Sequence, residues 1–330
     1  MPSSKRILVV GAGSIGLKHL RAFHATGLGV ELAVIDPRLE ARIRASELGA
    51  ETLNTDWDST DLSRFDGVVI CAPPPLHVPY VMRCLKEGVP VLSEKPLSNT
   101  WDGVKELVEI ARQEGAPPSG VAYVRRYHPL HEHVRTIVRT MLFEGKLGPI
   151  HVLRMNVGQP FAMYRPDYRQ IYYSSREQGG GCVLDFASHF IDLAQWYLGP
   201  IDSVKGYASH LSLEGVKVED TAALTFQFAE GALGSLHINQ YQPLNENLID
   251  LCGPESVLRI VEPDFSCHVW RKGIDKWEKL PTEQADYSDA LRRQAAAFLT
   301  AIDGGQPMRT SIEEAAHTLR LCLDLLDEQK

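Results

Sequence analysis

Lys5-Arg6-Ile7-Leu8-Val9-Val10-Gly11-Ala12-Gly13-Ser14-Ile15-Gly16 is a short apolar run that breaks into a glycine turn and continues as the helix-patterned LKHLRAFHATG. Strand, glycine turn and helix follow one another without a gap. A second apolar run, residues 30–35, ends in Asp36, which stands 20 residues after Gly16. This spacing is the dinucleotide-binding arrangement: Gly11 makes the tight turn, Gly13 admits the pyrophosphate to the backbone, and Gly16 lets helix pack on strand. Ser14 and Ile15 complete the phosphate turn, and Asp36 accepts ribose hydroxyls, which favours NAD. Arg38, two residues on, weakens that preference and leaves NADP open as the second cofactor.

Strands and helices alternate outward from this motif. After Asp36 comes the helical LEARIRASELG, then a strand at 65–71 ending in Ala72-Pro73-Pro74-Pro75, a helix at 77–87, and a strand at 89–92 ending in Ser93-Glu94-Lys95-Pro96. A helix at about 101–113 and a last strand at 119–123 complete the pattern of a parallel sheet with helices on both faces, whose ligands bind at the carboxyl ends of the strands. Those ends carry the Gly11 turn, Asp36, Ala72 to Pro74, Glu94 with Lys95, and Tyr123. His77 reads as a structural histidine on the edge of the same crevice, among the cofactor-side positions.

From about residue 148 the pattern changes to strands with few helices between them: 150–157, 204–211, 221–228, 232–240, 247–252, 257–261 and 267–271, with Glu230-Gly231 as a hairpin turn. The expected fold class is therefore α/β, an N-terminal Rossmann domain over 1–123 and a C-terminal α/β domain over 124–330 with a large, mainly antiparallel open sheet. Two helical segments, 285–303 and 311–327, end the chain, and the last can pack back on the first domain. A helix at 181–198 covers one sheet face, and the other face calls for a second copy, so a homodimer or homotetramer through the C-terminal sheet is expected.

The second informative stretch is GGGCVLDFASH, Gly179 to His189. Asp185 and His189 lie four residues apart at the head of an apolar helix that Gly199-Pro200 stops, so a carboxylate and an imidazole share one face. A capped helix with a structural histidine would account for this spacing alone; the dinucleotide motif makes an active site the stronger reading. Oxidation of a carbinol needs a base of near-neutral pKa on the hydroxyl, which suits His189. Asp185 would orient and stabilise the imidazolium, and Lys95 would favour the developing alkoxide. Cys182 sits in an apolar context and reads as packing.

At 330 residues, with 44% apolar content, the chain is long enough for two domains. A net charge of -8 with scattered Lys and Arg gives no basic stripe, so a nucleic-acid partner is not expected. No apolar run reaches the ~18 residues of a membrane span and no secretion signal is read, so no membrane partner and a cytoplasmic location are expected. Six dispersed cysteines without a CxxC pair suit reduced thiols. His128, His131, His133 and His237 read as structural, and no metal is expected.

GAGSIG, CAPPPLH at 71–77, EKP at 94–96, YVRRYHP at 123–129 and GGGCVLDFASHFIDLAQWYLG at 179–199 together resemble the Gfo/Idh/MocA family, which includes glucose-fructose oxidoreductase and inositol dehydrogenase. The match runs over nearly the whole chain in order. The resemblance implies NAD(P)-dependent oxidation or reduction of a sugar or cyclitol hydroxyl, with Lys95 at the family's active-site lysine, Asp185 at its carboxylate and His189 at its acid/base. Val124 departs from the family's usual Asn, two residues before Arg126.

The expected substrate is a small, carbohydrate-like molecule, and the segment 161–176, FAMYRPDYRQIYYSSR, is the candidate that shapes its pocket. Its tyrosines can stack on sugar C–H faces, and Arg165, Arg169 or Arg176 could fork onto an anionic group. Tyr123, Arg126, Tyr164, Arg165 and Arg169 are the substrate-side candidates beside Lys95, Asp185 and His189. An oligomer-interface arm would carry the same residue types. Two other functions stay open: an NAD-dependent glycoside hydrolase, which would release an aglycone without net NADH, and a non-catalytic dinucleotide sensor, which would bind cofactor without turnover.

Overall fold

The structure, a computed structural model, describes residues 4–54, 56–143 and 148–327. Contacts divide the chain into two units, Met1–Tyr127 with Asp286–His317, and His128–Ala285 with Thr318–Lys330.

The first unit begins with β1 (Arg6–Val10), α1 (Ser14–Ala25), β2 (Glu31–Ile35), α2 (Leu39–Glu47), β3 (Glu51–Thr52), β4 (Gly67–Ile70), α3 (His77–Lys86), β5 (Val91–Ser93), α4 (Val104–Ala111) and β6 (Ser119–Val121). Every strand pair is parallel, in the order β3-β2-β1-β4-β5-β6. This is the doubly wound order expected of the glycine motif. Burial on both sheet faces explains the unbroken Ile7, Leu8 and Val9 run in β1, each wholly buried. β3 has no counterpart in the sequence reading, because two exposed residues carry no apolar signal. β1 aligns Val10 with Ile35 of β2 and Ile70 of β4, so the chain leaves all three strands at one edge of the sheet.

The second unit holds α5 (Pro129–Phe143), β7 (Val152–Gly158), α6 (Phe161–Tyr164), α7 (Ser188–Leu198), β8 (Ile201–Ser209), β9 (Thr221–Phe228), β10 (Leu233–Asn239), β11 (Glu246–Cys252), β12 (Ser256–Glu262), β13 (Ser266–Arg271) and β14 (Trp277–Leu280). Eight strands pair in the order β14-β13-β12-β11-β7-β10-β9-β8. All neighbours are antiparallel except β7 and β10, which run parallel. In β9 the alternation buries Ala222, Leu224, Phe226 and Phe228 on one face, while Tyr207 of β8 stands 77% exposed on its own strand.

α8 (Tyr287–Ile302) returns to the first unit and α9 (Ile312–Asp327) ends the described chain. α8 opens on a capping box, Asp286 accepting the Ser288 and Asp289 N–H groups at 2.7 and 3.0 Å. Its Ala295, Phe298 and Leu299 join Leu20 and Phe23 of α1 in one core, with Phe23 and Phe298 edge to face at 6.5 Å.

Candidate active site

In the first unit the Gly11 turn is a backbone construction. Gly11 has φ +97 and donates its N–H to the Ile35 carbonyl at 2.8 Å; a Cβ there would press on the Cys71 carbonyl. A Cβ at Gly16 would strike the Gly11 carbonyl, so only glycine lets α1 start this close to β1. Gly13 caps α1 in an extended conformation, Ser14 is exposed at its first turn, and Ile15 is half-buried beside it. Backbone N–H groups at the start of a helix suit a pyrophosphate.

Asp36 follows β2 and is buried, 6% exposed. Its carboxylate accepts the Ala12 N–H at 2.8 Å, the Arg38 N–H at 2.9 Å, and a two-pronged contact from the Arg38 guanidinium at 3.0 and 2.9 Å. Burial pushes this carboxyl up, but the Arg38 and Ala12 hydrogen bonds outweigh it and hold Asp36 below the ordinary carboxylate value. Arg42 donates to the Asp36 carbonyl at 2.7 Å, so two guanidinium groups stand at this strand end. Glycine turn and buried acid together fit a dinucleotide.

The ends of β4 and β5 are tied to each other through His77. Its Nδ1 and Nε2 lie 2.7 Å from the carbonyl oxygens of Pro96 and Ala72, and burial pushes the imidazole down despite them. Pro73 is exposed and Pro74 buried in the short turn that leads into α3. Buried Glu94 contacts His19 Nε2 at 2.8 Å and accepts the Lys95 N–H at 3.1 Å; the Lys95-Pro96 peptide is cis. Burial raises Glu94, and His19 with Lys95 more than offsets this. His19 has no place in the sequence reading; it stands three residues beyond Gly16 on the inner face of α1, and a histidine on a buried helix face is the signal that points to it.

Tyr123 is fully buried just beyond β6. The guanidinium of Arg126 donates to the Arg309 carbonyl at 2.6 Å and to Glu314 at 2.9 Å, contacts made inside the first unit. Val124 packs against that unit's apolar core.

The second unit carries Asp185 and His189, but their segment is not the plain α-helix expected from 181 onward. Residues Val183–Ala187 form a π-helical turn before α7. Glu219 meets two of the amides that start the segment, groups with no intrahelical acceptor: its carbonyl accepts the Cys182 N–H at 2.8 Å and its carboxylate the Val183 N–H at 3.2 Å. Ser188 donates to the Leu184 carbonyl at 2.7 Å where the wide turn passes into α7. Gly181, at φ +97, has Glu219 against the place of its missing Cβ, and a Cβ on Gly180 would strike the Tyr173 carbonyl. The glycine run thus seats the Tyr172 region directly on the site segment. Burial pushes the Cys182 thiol well above its ordinary value, in keeping with a packing role.

The 161–176 segment divides its aromatic residues between two tasks. Phe161, Tyr168 and Tyr173 form a small core with Leu213, Val216 and Val218. Tyr172 donates its hydroxyl proton to Asp185 Oδ1 at 2.6 Å. Arg169 donates to the Glu214 carbonyl at 2.8 Å, and Arg176 pairs with the Glu219 carboxylate. Tyr164 is 54% exposed and Arg165 half-buried. Tyr172 and Glu219 were not singled out from sequence: the first is one tyrosine among four, and the second lies 34 residues beyond Asp185 and meets Cys182 and Val183 only through the fold.

Among the described residues no group of three or more His, Cys, Asp or Glu side chains could hold a metal ion, and no helix is long and apolar enough to cross a membrane. Residues 5–121 match the family model described as an oxidoreductase family with NAD-binding Rossmann fold, and residues 136–259 match the GFO/IDH/MocA C-terminal domain. The chain is 29% identical over 280 residues to inositol 2-dehydrogenase of Rubrobacter xylanophilus, covering 82% of this chain and 75% of that one. It is 25% identical over 319 residues to the rhizopine catabolism protein MocA of Rhizobium meliloti, covering 96% and 92%. The solved structure of levoglucosan dehydrogenase in complex with NADH shares the fold, with a TM-score of 0.86 at 19% identity over 98% of this chain and 96% of that one.

Proposed function

The chain belongs to the Gfo/Idh/MocA family of NAD(P)-dependent oxidoreductases, and from that premise we propose that it interconverts a secondary hydroxyl and a ketone on a sugar, sugar derivative or cyclitol. The observation that carries this reading is the Gly11 turn closed by buried Asp36 through the Ala12 N–H. A bound nicotinamide dinucleotide supplies the hydride acceptor or donor.

The remaining chemistry falls to the chain. The Gly11, Gly13 and Ser14 turn would hold the pyrophosphate and Asp36 the adenosine ribose, with Ala72 to Pro74 and Glu94, at the ends of β4 and β5, beside the cofactor. His189 takes the hydroxyl proton as the carbon–hydrogen bond breaks and returns it in the reverse direction. Asp185 orients the imidazole and stabilises its charged form. Lys95 donates to the substrate oxygen and favours alkoxide character. The relatives named for inositol and levoglucosan put polyhydroxylated rings first among substrates. An anionic or nucleotide-linked sugar would call on the arginines of 161–176, two of which, Arg169 and Arg176, contact Glu214 and Glu219.

The exposed face of the second sheet, with Tyr207, is best covered by a second copy, which size-exclusion chromatography with light scattering tests. The test of the activity is the absorbance of reduced nicotinamide over a panel of cyclitols, aldoses, anhydrosugars, uronic acids and nucleotide sugars with NAD and with NADP. Turnover of at least one ring polyol is expected; cofactor binding with no turnover on the whole panel would remove the reading.

A further inference from the structure

We propose that Tyr172 is a positioning residue that tunes His189 through Asp185. The contact is direct: the phenol donates to Asp185 Oδ1 at 2.6 Å, the short distance of a hydrogen bond to an ionised acceptor. The surrounding backbone is built to deliver it. Gly180 lets the Tyr172–Tyr173 backbone lie against the head of the site segment, and Gly181 turns the chain under Glu219. Tyr173, the neighbour, is buried at 0% exposure and donates to Gln240, which anchors the loop and leaves Tyr172 on the Asp185 side.

The consequence follows from charge. Asp185 and His189 stand four residues apart through a wide turn, an interval that keeps them on one face of the segment. A carboxylate near an imidazole favours the imidazolium. A phenol donating to that carboxylate withdraws part of its charge, so His189 ionises at a lower pH and is a free base over a wider range. Tyr172 thereby keeps the base available without touching the substrate.

The other titratable groups around the site segment do not supply this. Tyr173 and Cys182 are held neutral, both pushed up by burial. Asp220 feels burial upward but is kept below its ordinary value by the Leu213 and Ser212 amides, and Glu219 is raised by burial against the pull of Arg176. Cys322, which reaches the Val183 carbonyl from α9, is also pushed up by burial. Glu219 alone among these is moved toward neutral pH from the acid side, so the measurement must read His189 itself.

The inference rests on His189 being the base, and the experiment separates the two. The imidazole of His189 is titrated by long-range nitrogen–proton NMR in the full-length wild type, Tyr172→Phe, Asp185→Asn and the double variant, with NADH affinity and unfolding midpoint as folding controls. Tyr172→Phe should raise the His189 midpoint by roughly half a unit to one unit and Asp185→Asn should lower it by a similar amount or more. The double variant should match Asp185→Asn, because the phenol acts only through the carboxylate. The acid limb of kcat/KM, measured on the best substrate of the panel, should rise with Tyr172→Phe by the same interval. An unmoved midpoint in Tyr172→Phe, or an equal shift in the Asp185→Asn background, overturns the proposal; full turnover in His189→Ala overturns the reading of the base instead.

Discussion

The two units prepare a ligand site by different physical means. In the first, the decisive groups are backbone: a left-handed Gly11, a glycine contact under α1, and amides that the Ala12 and Arg38 positions turn toward one buried carboxylate. In the second, they are side chains held by other side chains: Tyr172 on Asp185, Arg176 on Glu219, and Glu219 capping the segment that carries His189. Backbone geometry is written locally, so one unit can bind a cofactor common to many reactions. Side-chain networks are assembled over long sequence distances, and the other unit can therefore vary its chemistry without changing its sheet.

The largest expected losses are in the chemistry itself. His189→Ala should lower kcat by ~100- to 10,000-fold while NADH affinity, measured by fluorescence, stays within about threefold. Lys95→Ala should also lose most of kcat with cofactor binding nearly intact. In His189→Ala, loss of cofactor affinity in parallel with turnover would mean that the second unit shares in dinucleotide binding and that the division of labour is false.

The glycines sharpen it next. Gly11→Ala forces a Cβ at φ +97 against the Cys71 carbonyl and should weaken NAD by about tenfold or more, strain of this kind costing on the order of 1–3 kcal/mol. Gly181→Ala, also at φ +97 and facing Glu219, should leave NAD affinity unchanged while lowering kcat and the unfolding midpoint. Titration of both variants with NAD checks the contrast; equal losses of affinity would erase it.

How much of this was open to reading in the sequence follows the same line. The Gly11 motif, Asp36 and the parallel sheet were legible because glycine conformation and apolar burial leave local marks. The Glu230-Gly231 hairpin between β9 and β10 was legible for the same reason, Gly231 having φ +87. The parallel pairing of β7 with β10 was not, since 74 residues separate Gly158 from Leu233 and no local signal records the partner. Nor was the π turn over Val183–Ala187, nor the meeting of Glu219, far along the chain, with the first amides of that segment. Asp185 and His189 stand out in the sequence as candidates by their spacing, but Tyr172 could not be told from Tyr168 and Tyr173, which pack with Leu213 and its neighbours, or from Tyr164, which is exposed.

A smaller effect separates the two units by pH. Asp220 accepts the amides of Leu211, Ser212 and Leu213 at 3.0, 2.8 and 2.7 Å and the Thr221 hydroxyl at 2.8 Å. Burial raises its carboxyl and these donors more than reverse that, so its folded value lies below the unfolded 3.8. Such a group adds stability above the unfolded value and loses it as pH falls through the folded one. Asp220→Asn should therefore cost about 2 kcal/mol at neutral pH, with the gap between wild type and variant closing as the pH is taken well below 3.8. Thermal unfolding across that range checks it, and a gap that widens on acidification would reverse the assigned sign.

The smallest expected effect lies where the first unit relies on a side chain. The Arg38 side chain is 59% exposed although it grips a buried carboxylate, so the pair adds only about 0–1 kcal/mol to stability. Its influence should appear in cofactor choice instead. With Arg38 in place, both Asp36 oxygens are occupied and a cation stands ready beside a 2′-phosphate; Arg42 holds the Asp36 carbonyl and adds a second positive charge. Arg38→Ala removes one cation and frees the carboxylate for ribose hydroxyls. NADP should weaken by roughly tenfold while NAD holds or tightens slightly, a change of about 1.4 kcal/mol in the ratio. Calorimetry with both dinucleotides decides it: an unchanged ratio would show that selection in the first unit, like its phosphate turn, belongs to the backbone and not to this side chain.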